Sequence, residues 1–156
     1  MSLDKRPETL TITAQSGGFY RSNTNYKNVF LVENPVERGG DFELTTCLVS
    51  FLPFANVQQA GLVCWNDEDN HVKWVFEWAD HHGGQVFAIL RETQGRPISS
   101  AHGRTMATGE RVWLRLTKRG NRYEYAASND GKSFRVFGEV EWDGEPPKWI
   151  GLVAKN

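Results

Sequence analysis

Asp41-Phe42-Glu43-Leu44-Thr45-Thr46-Cys47-Leu48-Val49-Ser50-Phe51 is the stretch that decides the fold class. Phe42, Leu44, Thr46 and Leu48 share one parity, and Glu43, Thr45, Cys47 and Val49 share the other. A period of two puts successive side chains on opposite faces of an extended chain, whereas a helix repeats its apolar face every three to four residues. Pro53 then ends the run, because it has no N–H to give to a ladder.

The same alternation extends outward in both directions. Upstream, residues 9–13 (Thr-Leu-Thr-Ile-Thr) and 29–32 read as short strands, the second closed by Asn34-Pro35. Downstream, residues 59–66, 71–79 and 85–93 are separated by Asp67-Glu68-Asp69-Asn70 and by His82-Gly83-Gly84. The stretch 95–109 is polar without a clear period and reads as a long loop. Regular alternation resumes over 112–118, 122–128, 133–140 and 149–154, with Asn129-Asp130-Gly131-Lys132 as a strong turn. Roughly ten strands and no sustained helical spacing predict an all-β fold, a two-sheet antiparallel sandwich of jelly-roll type.

Composition sets the outer limits. A chain of 156 residues, 39% apolar with six Trp and nine Phe, is large enough for one domain spanning 1–156 with a real core. The formal net charge of −1 supplies no field for nucleic acid or an anionic membrane, and no apolar run is long enough to span a bilayer. A soluble domain is therefore expected, with its compartment left open. Met1-Ser2-Leu3 reads as a start added for expression, which leaves room for a native leader or a neighbouring domain. Cys47 and Cys64 lie on successive strands where a bridge is conceivable, but two buried thiols acting as small hydrophobes is the preferred reading.

Three stretches carry a family resemblance. They are residues 60–70, where a strand ending in Trp65 meets an Asp-x-x-Asn turn, the strand Val112-Trp113-Leu114-Arg115-Leu116, and residues 123–134 with Ser128-Asn129-Asp130-Gly131 at their centre. In this order they resemble the concanavalin A-like β-sandwich domain appended to family 43 β-xylosidases and its stand-alone relatives of unknown function. Two departures stand out. Ala127 replaces a usual aromatic, and the sequence stops at Asn156 before a final acidic-aromatic strand, so the chain also reads as a fragment of a longer protein. The resemblance implies a concanavalin A-like lectin/glucanase fold and a non-catalytic, carbohydrate-associated module. Its expected partners are a poly- or oligosaccharide or the flanking domains of a longer chain.

Parity nominates the binding residues. Val72, Trp74, Phe76 and Trp78 form one apolar face, expected to be core, which leaves His71, Lys73, Val75 and Glu77 toward solvent. Leu114 and Leu116 point inward, leaving Trp113 and Arg115 outside, and Trp65 lies opposite Leu62 and Cys64. An exposed Trp beside polar groups suits a sugar, whose C–H face stacks on the ring while its hydroxyls are hydrogen-bonded. The candidate ligand-binding set is Trp65, Asn70, His71, Lys73, Glu77, Trp113 and Arg115. The competing reading covers Trp65 and Trp113 with a loop such as 95–109.

Other chemistry is less well supported. Asp67, Asp69, Asn70 and Asp130 suit turn backbone better than a structural calcium, and no cofactor is expected. Asp80-His81-His82 lacks a third metal ligand at a recognisable spacing. Glu139, Glu141 and Asp143 share one strand face, as a laminarinase-type hydrolase would require, but Pro146-Pro147 follows and a solvated sheet edge accounts for the charges. A module contacting only other proteins is the main alternative function, and hydrolysis a lesser one.

Overall fold

The computed structural model describes residues 8–21, 25–103 and 109–156. Among these lie ten strands: β1 (Val29–Glu33), β2 (Phe42–Val49), β3 (Gln59–Asp67), β4 (Asn70–Ala79), β5 (Gly84–Thr93), β6 (Arg96–Gly103), β7 (Arg111–Arg119), β8 (Arg122–Ser128), β9 (Arg135–Glu141) and β10 (Trp149–Lys155). One 3₁₀ turn, Asp80–His82, joins β4 to β5. A six-stranded sheet runs β1-β10-β3-β4-β5-β6 and a four-stranded sheet runs β2-β7-β8-β9, with every pairing antiparallel. This is the expected two-sheet sandwich.

The core lies between the sheets and follows the parity of each strand. Leu62, Trp74, Phe76, Phe87 and Ile89 come from the larger sheet, and Leu114, Leu116, Tyr123, Tyr125 and Ala127 from the smaller. Trp74 is fully buried, and its indole N–H donates to the Ala126 carbonyl at 2.9 Å, which ties one sheet to the other. The bond satisfies a polar atom that would otherwise be costly inside an apolar layer. Trp78, expected on the same face, is half-buried at the strand end and donates to Asp80 Oδ1 at 2.8 Å.

Two strand expectations need correction. Residues 9–13 form no strand and keep only a single bridge residue, Thr11; Leu10 and Ile12 alone offer too little apolar surface to anchor one. The polar stretch 95–109 instead contains β6, an edge strand paired along its length with β5 from Val86↔Gly103 to Thr93↔Arg96. An edge strand is held by backbone hydrogen bonds and need not show a buried face, which is why alternation missed it. Residues 104–108 of that stretch lie outside the described residues.

The cysteines stay apart. Cys64 points into the core from β3, whereas Cys47 on β2 pairs with Trp113 and shares its outward parity on the other sheet. Both are free thiols.

Candidate functional site

The outward face of the six-stranded sheet is built in rows set by strand register. Trp65, His71 and Glu92 form one row across β3, β4 and β5. Lys155, Gln59 and Glu77 form another across β10, β3 and β4. Between them, Gly61 contributes no side chain and Ala88 only a methyl group, so the sheet surface dips there.

A segment upstream of β1 closes over half of this face. Phe19 is buried and meets Trp65 edge-on at 4.9 Å, with the His71 ring 4.7 Å away. The Arg21 backbone N–H donates to Glu92 Oε1 at 2.8 Å, and Gly18 N–H to the Asn25 carbonyl at 3.0 Å. Gly17 has φ +142°, and a Cβ there would come within 2.1 Å of the Asn25 carbonyl oxygen, so only glycine lets the two arms approach. We call residues 15–21 and 25–28 the strap.

Where the strap leaves the sheet uncovered there is a pocket of about 590 Å³. Its floor includes Val75, Ala88 and Val153, and Tyr20 and Tyr26 stand on its wall, 44% and 39% exposed. Gln59 bridges the charged groups: Lys73 Nζ donates to its Oε1 at 2.8 Å, and its amide donates to Glu77 Oε2 at 2.9 Å. Lys73 is only 7% exposed, with its ammonium 4.8 Å from the Phe19 ring centroid. Burial pulls its pKa down to about 8, with Glu77 and Glu92 opposing and Lys155 adding to the fall. Burial also raises Glu77 against the pull of Lys73, Lys155 and His81, and lowers Lys155 against that of Glu77. His71, beneath Phe19, is pushed down to about 3 by burial and then by Lys73.

The structure divides the expected site residues among several places. Lys73 and Glu77 line the pocket. Trp65 and His71 share the outward face with them but are covered, stacked on each other at 5.3 Å beneath Phe19. The cover is the strap, through Phe19, so the expected solvent exposure of Trp65, His71, Lys73 and Val75 is corrected: all four are buried. Asn70 holds turns, donating to Asp67 Oδ1 at 2.8 Å and accepting from Gln94 N–H at 3.1 Å. Trp113 and Arg115 lie on the outward face of the four-stranded sheet, on the far side of the core. There Gly131 presses against the Trp113 indole, and Arg115 stacks 3.6 Å over Phe134 and pairs with Glu43 at 3.3 Å. One ligand site cannot include both groups.

The acidic strand lies at the end of the four-stranded sheet. Glu139 and Glu141 are exposed on edge strand β9, paired with Arg122 at 3.5 and 3.4 Å, and Asp143 is paired with Arg91 at 3.1 Å. Asp67 Oδ1 accepts the Asp69 N–H, and Asp130 Oδ1 accepts the N–H groups of Lys132 and Ser133, as turn residues do. Among the described residues, no group of three or more His, Cys, Asp or Glu side chains is arranged to hold a metal ion. No helix among them is long and apolar enough to cross a membrane.

Sequence reasoning missed Phe19, Tyr20, Tyr26, Gln59 and Lys155. The available signal was a glycine pair followed by two aromatics, Gly17-Gly18-Phe19-Tyr20, in a segment without strand periodicity. Such a segment cannot bury its rings by itself and has to lay them on another element.

Comparison with known proteins agrees with this architecture. Residues 1–152 match the family described as the beta xylosidase C-terminal Concanavalin A-like domain. The fold is similar to that of xylan beta-1,4-xylosidase from Bacillus halodurans, with a TM-score of 0.74 at 16% identity over 99% of this chain and 30% of that one. It is also similar to the GH43 protein BlXynB from Bacillus licheniformis, with a TM-score of 0.70 at 18% identity over 90% of this chain and 28% of that one. A functionally unknown protein from Saccharomyces cerevisiae gives a TM-score of 0.72 at 17% identity, over 92% of this chain and 76% of that one. No curated protein matches the sequence. The chain thus spans less than a third of either Bacillus protein. With the sandwich, its strand parity and the match over nearly the whole sequence in agreement, the chain belongs to the family of β-xylosidase C-terminal concanavalin A-like domains.

Proposed function

We propose that this domain is a non-catalytic, carbohydrate-associated module that receives a segment of a poly- or oligosaccharide in the pocket beside the strap. One observation carries the reading. Exposed Tyr20 and Tyr26 stand beside a floor where Gln59, Lys73 and Glu77 already form a hydrogen-bonded chain. Aromatic rings accept the C–H face of a pyranose, and the polar chain offers donors and acceptors to its hydroxyls. The volume of about 590 Å³ falls within the range of small-ligand sites. The family's association with xylosidases supports a sugar as ligand and a glycosidase domain as the neighbour it assists. Affinity electrophoresis on xylan, glucan and mannan, with a glycan array, tests this. Retardation that Tyr20→Ala and Tyr26→Ala abolish is expected. No retardation on any polymer, with no array signal, would count against it.

A second reading, a module that contacts only protein, draws on the exposed apolar side chains of Leu52, Phe54 and Val57. The full open reading frame and its flanking domains, tested for co-purification with this one, separate the two.

A further inference from the structure

We infer that the pocket beside the strap selects an acidic sugar, a pyranose bearing a carboxylate such as a uronate. The inference rests on the reading that the pocket takes a sugar, and it names the class.

Among the described residues three lysines line the pocket, Lys27, Lys73 and Lys155, against a single carboxylate, Glu77. That carboxylate is already engaged, because Glu77 Oε2 takes the Gln59 amide. Gln59 stands between Lys73 and Glu77 and binds one with its oxygen and the other with its nitrogen. Among the described residues Lys73 Nζ gives one hydrogen bond, to Gln59, while an ammonium carries three N–H groups.

The surroundings raise the value of a second anion. Val75, Ala88 and Val153 form an apolar floor, and the strap shields Lys73 from water. Burial opposes the charge of both Lys73 and Lys155, and Lys155 works further against Lys73. Glu92 also acts on Lys73, but it is buried, accepts the Arg21 N–H and does not line the pocket, so on the pocket side Glu77 is the carboxylate that faces the two ammonium groups. A carboxylate entering between them supplies the missing counter-charge and accepts the N–H groups that Lys73 has left. Tyr20 and Tyr26 on the wall then make a sugar ring the natural carrier of that carboxylate. A neutral sugar brings no counter-charge, and a bare inorganic anion gains nothing from the rings.

The test is calorimetric titration of the domain at pH 7 with methyl glucuronoside, its uncharged methyl ester, methyl glucoside and inorganic phosphate. The uronate should bind about tenfold or more tighter than either neutral glycoside, the scale of one charge-assisted hydrogen bond. Lys73→Met and Lys155→Met should each bring the ratio of uronate to neutral-glycoside affinity down to about one, whatever happens to the overall affinity. Circular dichroism checks the fold of both variants, and the half-buried Lys155 provides the second arm if the Lys73 variant unfolds. Equal affinity for uronate and neutral glycosides would overturn the inference while the sugar-site reading stands. Phosphate binding tighter than the uronate would overturn it in favour of a simple anion site. Binding of none of the four would overturn the inference, while the polysaccharide panel decides the sugar-site reading separately.

Discussion

Replacing Phe19 with Ala removes the ring that fastens the strap to the sheet. Phe19 is 3% exposed and touches Trp65 at 4.9 Å, His71 at 4.7 Å and Tyr26 at 6.0 Å, with the Lys73 ammonium 4.8 Å from its centroid. Burying a Phe side chain contributes about 1.5–3 kcal/mol, and each well-placed aromatic contact adds roughly 0.5–1.5. The strap lies on an outward face and can swing away, so the loss stops at its docking energy; about 3 kcal/mol is expected, the low end for Phe→Ala. Urea unfolding followed by circular dichroism measures that loss. Tryptophan emission should shift to the red and acrylamide quenching should rise, because Trp65 loses its cover while Trp74 and Trp142 remain in the core. A cost below about 1 kcal/mol with unchanged quenching would refute the idea that Phe19 fastens the strap.

Three further outcomes follow from other parts of the molecule. His71 titrates near 3 in the folded protein, so between that value and about 6.5 only the unfolded chain takes its proton and stability falls as the pH drops. From pH 6 to pH 4 this amounts to about 2–3 kcal/mol. The raised carboxyls of Glu77 and Glu92 act in the opposite sense, so wild type is compared with His71→Gln; parallel pH–stability curves would contradict the assignment. Gly131→Ala should cost at least about 1–2 kcal/mol in chemical denaturation, since its φ is +70° and a Cβ would come within 2.7 Å of the Trp113 indole. Cys64, buried with its thiol pKa raised by desolvation, should resist a thiol reagent until unfolding, whereas half-exposed Cys47 reacts slowly in the native state, as mass spectrometry of labelled peptides can show.

The parts of the fold legible in sequence are those where one strand buries one face. On β4, Val72, Trp74 and Phe76 alternate with His71, Lys73 and Val75, and the first set does lie between the sheets. On β7 the same logic places Leu114 and Leu116 inward. β6 escaped because an edge strand is held by backbone pairing with β5, and its mostly polar side chains show no buried side. The site was less legible for two physical reasons. Parity says which side chains leave a sheet but not which sheet carries the strand, so Trp65 and Trp113 were grouped although the core separates them. Nor does parity reveal what settles on an outward face. Phe19 reaches Trp65 from 46 positions away, and no local pattern signals that contact. Lys73 and Glu77 were found; Gln59, which joins them, was hidden because an apolar strand beginning with Gln looks ordinary.

The central claim is that a sugar enters the pocket beside the strap. The most direct measurement is the amide chemical-shift map of the labelled domain titrated with an oligosaccharide of the polymer that retards it most strongly in affinity electrophoresis. The account predicts saturable shifts centred on residues 15–21 and 25–28, Gln59, Lys73 to Glu77 and Val153 to Lys155. Shifts centred on Trp113, Arg115 and the 128–134 turn, or no saturable shift at all, would contradict it.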